Sequence, residues 1–441
     1  MRQKVKVIGA GLAGCECAWQ LAKRNIEVEL FEMKPDKMSP AHNLESFAEL
    51  VCSNSFRSDE LGNAVGLLKA ELRVLDSLIM EAADATKVPA GSALAVDREG
   101  FSEYVTEKIK SSPNIKIIHE EVKRIPDGRV VIAAGPLVSE ALAKEIKDCT
   151  GDTGLFFFDA VAPLVSFESI DMGNAYFASR YDKGSPDYIN CPLNKEEYLA
   201  FYNELLNAEM AELRDFEDSA VFEGCMPIES LAKRGEDTIR FGPLKPVGLT
   251  NPKTGKQDYA VIQLRRDNSE GSIYNMVGFQ THLKFNEQKR VFSMIPALKN
   301  ADFLRYGRMH RNTYINSPGL LDAQYRLKKN KSISFAGQIS GVEGYVESTA
   351  SGMLAGLSIC AEILGEEEIN FPRKTAIGAL ASYISNESIV NFQPMNINFG
   401  IIESLDYRVK GKREKNLAVS RRALECIDEI KERKIFSENC S

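Results

Sequence analysis

Three groups of residues in this 441-residue chain have types and spacings that could do chemistry. The first is Gly9-Ala10-Gly11-Leu12-Ala13-Gly14, a Gly-x-Gly-x-x-Gly run, with Glu32 following 18 positions after Gly14. In such a run the first glycine permits a tight turn and the second lets backbone approach a pyrophosphate. The third lets a helix pack closely on a strand, and the acid accepts a hydrogen bond from a ribose hydroxyl. The second group is a pair of cysteines in polar turns. Cys52 lies beside Ser53, Asn54, Ser55 and Arg57, and Cys225 lies in Phe222-Glu223-Gly224-Cys225-Met226-Pro227. An isolated thiol of this kind serves disulfide reduction, nucleophilic attack on carbon, or simple burial as a small apolar group. The third is a basic stretch. Between Leu405 and Leu424 seven Lys/Arg stand against two acids, a net of +5, which suits phosphate contact or a solvated helix face.

Positioning the first group requires a strand, a turn, a helix, a second strand and the acid, in that order. The apolar run Val5-Lys6-Val7-Ile8 enters the glycines, a helical pattern runs to Asn25, and Ile26 to Phe31 reads as a strand ending at Glu32. The helix N-terminus then turns free N–H groups and a partial positive charge toward a bound phosphate. A long polar loop follows, with one helical turn expected near Glu45 to Leu50, and Cys52 sits in it. Gly66 to Ala83 reads as one amphipathic helix, Ala93 to Asp97 as a strand and Phe101 to Lys110 as a helix. Ile115 to His119 and Arg129 to Ala133 read as strands, the latter running into Ala133-Ala134-Gly135-Pro136. From Ser166 to Pro318 the pattern becomes mixed, with frequent turns and strand-like runs at Tyr259 to Arg265 and Ile273 to Phe279. Nucleotide-binding character returns at Ile333 to Gly356, where a strand enters Ala336-Gly337-Gln338. A loop, Gly341-Val342-Glu343-Gly344-Tyr345, then leads into a helix of small residues. These pieces suggest an α/β protein with a discontinuous Rossmann-like FAD-binding domain and a mixed α/β insertion. The expected boundaries are 1–165 and 319–441 for the FAD-binding domain and 166–318 for the insertion.

Composition narrows the class. A net charge of −7 gives no global attraction to nucleic acid, although a local basic patch can supply one. No run of 18 apolar residues occurs, so no membrane span is expected, and because the start enters a strand no signal peptide is expected either. Nine cysteines at irregular spacing fit free thiols in a reducing cytoplasm. Cys15 and Cys17, two apart on a helix, read as packing residues. His42, His119, His282 and His310 form no short-spaced cluster, so no metal is expected.

With these motifs in view, the chain resembles, end to end, the folate- and FAD-dependent tRNA (uracil-5-) methyltransferases. The resemblance rests on VIGAGLAGCECAWQLA, FAELVCSNSFRS, VPAGSALAVDREGF, FEGCMPIE, VGFQTHLKFNEQKR, MHRNTYINSP, FAGQISGVEGYVES and FQPMNINFG, among other stretches. It implies that a methylene group from 5,10-methylenetetrahydrofolate is placed on C5 of a uridine in the tRNA T-loop, at position 54. It further implies reduction of that group to methyl by FAD, which NADPH or NADH recharges. By resemblance Cys225 matches the uracil nucleophile and Cys52 the second family cysteine near the flavin. The cofactor would be held by Gly9 to Gly14, Glu32, Ala134, Gly135, Gly337, Gln338, Gly344 and Tyr345. His282, Arg408, Lys410, Lys412 and Arg413 are the candidates for the RNA side. Three alternatives stand beside this reading: the same chemistry on large-subunit rRNA, a small-molecule FAD oxidoreductase, and a non-catalytic FAD protein that binds RNA or a partner.

Overall fold

The computed structural model describes residues 4–39, 41–151, 155–182, 184–211, 226–390 and 392–436, with backbone alone for 155–160 and 309–311. The chain opens with β1 (Lys4–Ile8), α1 (Leu12–Ala22) and β2 (Glu27–Glu32). It continues through β3 (Ser55–Ser58), α2 (Ala64–Val74), α3 (Leu78–Ala85), β4 (Lys87–Val88), β5 (Ala93–Val96) and α4 (Arg98–Ser111). Next come β6 (Ile115–His119), β7 (Arg129–Ile132), α5 (Glu140–Thr150) and β8 (Leu155–Ala160). The middle holds β9 (Leu164–Ser166), β10 (Tyr176–Ala178), β11 (Tyr188–Leu193), α6 (Lys195–Asn207), α7 (Ile228–Lys233), α8 (Glu236–Phe241) and β12 (Ala260–Arg266). It ends with β13 (Ile273–Met276), α9 (Phe285–Phe292), β14 (Phe303–Arg305) and β15 (Met309–Tyr314). The chain closes with α10 (Ser317–Leu320), β16 (Arg326–Leu327), β17 (Asn330–Phe335), α11 (Tyr345–Leu364), α12 (Ala376–Ile384) and α13 (Lys412–Lys431).

The first sheet has the order β16-β17-β7-β1-β2-β6, parallel throughout except for β16 at one edge. The crossover β1–α1–β2 places the glycine turn at the carboxyl end of the central strand, where open α/β sheets bind ligands. Helix α11 lies along α1 at backbone distance. A Cβ on Gly352 would sit 2.1 Å from the Ala13 carbonyl oxygen, and one on Gly356 would sit 3.0 Å from that of Cys17. The small residues of α11 thus bring the late loop Gly341–Tyr345 beside the early glycine turn. Cys15 and Cys17 are both fully buried in this core.

A second core, drawn from Ala162 to Ala301, packs on an antiparallel sheet of order β10-β11-β12-β13-β9-β14. Strand β12 is buried along nearly its whole length, as its unbroken apolar start suggests. Strands β8 and β15 pair antiparallel as a separate ribbon. No helix among the described residues is long and apolar enough to cross a membrane.

Two local expectations are corrected. Gly66 to Ala83 is two helices, not one. Asp76 adopts a left-handed backbone (φ 59°), and the Ser77 hydroxyl accepts the Met80 N–H at 3.2 Å, starting α3 afresh. Glu45 to Leu50 forms no helical turn. Ala48 is left-handed (φ 50°), and the Glu49 carboxylate instead accepts the N–H groups of Asn43 and Leu44 at 2.9 and 3.0 Å. At Glu45 to Leu50 the Glu49 carboxylate satisfies backbone groups that a helical turn would otherwise engage.

Candidate functional site

Gly9 takes a positive φ of 99° and donates its N–H to the Phe31 carbonyl at 2.8 Å. A Cβ there would lie 2.6 Å from the Ala133 carbonyl oxygen, and one on Gly14 would lie 1.8 Å from that of Gly9. Both glycines are therefore required by the fold itself. Gly11 differs. Its backbone is ordinary (φ −76°, ψ −172°), and a Cβ there would meet no protein atom within 4 Å. Neither strain nor packing explains glycine at this position; open space at a helix N-terminus does, and that fits a dinucleotide pyrophosphate. Glu32, buried at the end of β2, accepts from Ala10 N at 2.8 Å and Lys34 N at 3.0 Å. Its carboxylate thus braces the turn as well as facing the cleft.

The cleft has a volume of about 350 Å³. Gly9 to Ala13, Glu32 and the segment Ala133 to Ser139 line one part of it. Cys52, Ser53, Asn312, Gly337, Gln338, Gly344, Tyr345 and Asn396 line another. Every residue the sequence suggested for the cofactor is on this wall except Gly14, which packs beneath it. Gly337 is held at φ 80°, and its N–H donates to Ser351 Oγ at 2.7 Å. Gln338 donates to Glu343 at 2.6 Å.

Cys52 opens onto the same cleft, on an irregular loop fixed from three directions. The Tyr345 hydroxyl, at the first turn of α11, accepts the N–H of Cys52 at 3.0 Å and that of Ser53 at 3.1 Å. Buried Arg98 donates to the Leu50 carbonyl. Buried Arg265 on β12 donates to Ser53 Oγ at 2.6 Å and Asn54 Oδ1 at 3.1 Å. Asn54 in turn donates to the carbonyls of Val96 and Arg266, both at 2.9 Å. The polar residues around Cys52 are thus the loop's fastenings. Burial and the neighbouring Cys52 push the Tyr345 hydroxyl upward, so it remains a neutral phenol.

Positive charge gathers here. Burial works against the Arg98 guanidinium, but Asp267, paired with it twice at 3.0 Å, outweighs burial and raises it. Burial pulls Arg265 down, and burial with Arg98 nearby pulls Arg305 down to about 10, which still leaves Arg305 charged at neutral pH. Three guanidiniums against one carboxylate favour any group that carries or develops negative charge beside Cys52.

Cys225 lies outside the described residues. The segment that follows it is anchored by Ile228 N–H to the Gln280 carbonyl at 2.8 Å. His282 is half-buried, and burial pulls its imidazole down. The His282 backbone N–H donates to Glu229 at 2.7 Å, and His282 does not line the cleft. Arg408, Lys410, Lys412 and Arg413 are all exposed at and before the start of α13. That helix is held to the loop after β3 by Asn416 to the Gly62 carbonyl at 3.0 Å and Ser420 to the Leu61 carbonyl at 2.8 Å. Sequence reasoning missed Arg98, Arg265, Arg305, Asn312 and Asn396 as site residues. Arg98, Asn312 and Asn396 lay inside stretches that carried the family resemblance, and Arg265 and Arg305 offered no local signal.

The model of the family described as Glucose inhibited division protein A matches residues 4–367. The methylenetetrahydrofolate--tRNA-(uracil-5-)-methyltransferase TrmFO of Acetivibrio thermocellus is 62% identical over 426 residues, covering 96% of this chain and 98% of the relative. Proteins of the same name from Lactobacillus gasseri and Listeria monocytogenes serotype 4b are 58% and 56% identical, each covering 98% of this chain and 99% and 100% of the relatives. Among solved structures, Aquifex aeolicus GidA in its form II crystal superposes with a TM-score of 0.71 at 17% identity, covering 100% of this chain and 75% of that one.

Proposed function

Since the chain belongs to the Glucose inhibited division protein A family and, within it, to the methylenetetrahydrofolate--tRNA-(uracil-5-)-methyltransferase TrmFO group, we propose that it forms 5-methyluridine at position 54 of the tRNA T-loop. The methylene group comes from 5,10-methylenetetrahydrofolate. The setting is the cytoplasm. FAD, recharged by NADPH or NADH, supplies the two electrons that turn methylene into methyl. The observation that carries the reading is that the Cys52 loop and the Gly9 to Gly14 cradle open onto one cleft.

The chain's residues divide the work. Gly11 and the first turn of α1 take the pyrophosphate, and Glu32 takes the ribose. Gly337, Gln338 and Tyr345 would hold the end of FAD that carries the redox ring. Uracil C5 is a weak nucleophile. The thiolate of Cys225 forms a bond to C6, and the ring's electron pair shifts toward C5 and O4. C5 then bonds to the folate-derived carbon; loss of the C5 proton breaks that carbon's bond to its carrier nitrogen, and a hydride, which reduced FAD would supply, completes the methyl group as the thiolate leaves C6 and the ring is restored. Cys52, held by Tyr345 and Arg265, is the group that deprotonates C5 or shields the one-carbon unit. Arg98 and Arg265 keep its loop in place across the seam between the two sheets.

The test is 5-methyluridine formation in unmodified tRNA with methylenetetrahydrofolate and NADPH, mapped to its position. Cys225→Ala is expected to abolish the product while flavin reduction by NADPH survives, and Cys52→Ala to impair methyl transfer. NADPH oxidation that needs neither folate nor RNA, with no 5-methyluridine, would refute the reading.

A further inference from the structure

A second cavity, of about 290 Å³, adjoins the cleft and shares Val51 and Val161 with it. Roughly 150 Å³ already accommodates a benzene ring. Its outer wall is a column of rings. Phe303 stacks on Tyr306 at 5.8 Å and 14°, Tyr306 on Phe285 at 5.2 Å and 18°, and the Arg308 guanidinium covers Phe285 at 5.1 Å. The column runs from the second core to the surface, where Phe285 is 44% exposed and Leu304 is 55% exposed. Its geometry is built in. Gln288, fully buried, exchanges two hydrogen bonds with Gly307 at 2.8 and 2.9 Å, and a Cβ on Gly307 would lie 2.5 Å from the Val161 carbonyl oxygen. At the inner end stands Arg305. Its Nε and Nη2 are buried and meet no acceptor among the described residues. Buried donors are nearly always paired, so these two mark where a ligand's oxygens belong. Arg305 also lies within electrostatic reach of Cys52 and Tyr345.

Resting on the function proposed above, we infer that this cavity receives the extruded uracil, whose carbonyl oxygens accept from Arg305 while the exposed Phe285 at the end of the ring column packs against a neighbouring RNA base at the mouth. The lining residues include two arginines and no carboxylate. A pterin presents amino and ring N–H donors on its recognition edge and needs acceptors there. Uracil presents two carbonyl oxygens. When the thiolate adds at C6, the displaced electron pair gathers on C5 and O4, and a guanidinium at O4 stabilises that charge. The exposed end suits a base whose backbone stays in solvent, because every base has a face to stack.

The experiment compares two T-arm RNA hairpins, one with uridine at the target and one abasic there, binding to the FAD-loaded protein. The wild type is expected to prefer the uridine hairpin. Arg305→Met should lose about tenfold of that preference or more and leave the abasic hairpin's affinity as it was. Arg305→Lys should restore part of it. Phe285→Ala, at a surface position, should weaken both hairpins by a similar factor and serves where Arg305→Met fails to hold FAD. Unchanged preference in Arg305→Met and unchanged affinity in Phe285→Ala overturn the inference. So does a loss of tetrahydrofolate affinity in Arg305→Met with the uridine preference intact, which would put folate in the cavity. If the wild type still makes 5-methyluridine in either case, only the pocket assignment falls; a wild type that makes none overturns the activity beneath it.

Discussion

Alanine at Gly11 and at Gly14 should have opposite consequences, although the two positions lie three residues apart in one motif. At Gly14 the added Cβ would stand 1.8 Å from the Gly9 carbonyl oxygen, a backbone atom that cannot rotate away. The helix and the turn must part, which costs about 2 kcal/mol or more of folding stability before any ligand is considered. At Gly11 the Cβ meets nothing, and the backbone already lies where alanine is comfortable. Restricting the unfolded chain contributes about 0.4 to 1 kcal/mol, and replacing glycine at a helix N-cap costs a similar amount, so the two offset each other. Apo Gly11→Ala should therefore unfold within roughly 0.5 kcal/mol of the wild type. Its defect appears only with ligand. At a hundredfold excess over the dissociation constant, FAD stabilises the wild type by about 2.7 kcal/mol, and a hundredfold weaker site leaves about 0.4 kcal/mol. The assay is thermal unfolding of deflavinated protein across a series of FAD concentrations, with flavin fluorescence reporting occupancy. FAD should raise the midpoint of the wild type and barely move that of Gly11→Ala. If Gly11→Ala is raised by FAD as the wild type is, the space beside Gly11 is not where the pyrophosphate lies. If Gly14→Ala unfolds like the wild type, the packing account of the third glycine is wrong.

Three further outcomes follow from other parts of the molecule. Tyr345→Phe strands the N–H groups of Cys52 and Ser53, at about 1 to 3 kcal/mol, so methyl transfer should fall while bound FAD stays, as absorbance and a 5-methyluridine assay would register. Burial pushes the Glu71 carboxyl, which faces the Ala376 and Ile377 N–H groups, up to about 8 from 4.5. A raised carboxyl stabilises the fold below its unfolded pKa and loses that contribution as pH climbs from 4.5 to about 8. Glu71→Gln should therefore gain on the wild type in thermal midpoint across that window, and parallel curves would refute this. Reversing Arg408, Lys410, Lys412 and Arg413 to Glu should weaken tRNA binding and lower its log–log salt slope by about 0.7 to 0.9 per lost contact, whereas unchanged affinity and slope with FAD intact would make the stretch a solvated face.

How far the sequence carried depended on where each residue's partner lay. The glycine turn was legible because all its constraints fall within one crossover: Gly14 answers to Gly9, and Glu32 reaches back to Ala10. The late loop at Gly337 to Tyr345 was legible for a similar reason, since the small residues of α11 announce a helix that must approach another closely. The break between α2 and α3 was less visible, because the apolar period runs on through it. Its only local signals are Asp76, tolerant of a left-handed backbone, and Ser77, a helix-starting residue. Arg305 was invisible: β14 is three residues long, and its register on β9 decides what the guanidinium faces.

The loop of Cys52 shows why the rest could not be read. An irregular segment cannot satisfy its own backbone groups, so it must borrow partners from elsewhere. Here the partners come from α4, β12 and α11, up to 293 positions away in sequence. Two of them lie on the first body and one on the second, and the Arg98–Asp267 pair joins the two sides. The thiol is thus held by the docking of one sheet against the other, whereas the glycine cradle is complete within the first sheet alone. FAD binding should therefore tolerate changes at the seam that methyl transfer does not. The residues that separate those two properties are the buried arginines, whose neighbours in sequence say nothing of the loop they hold.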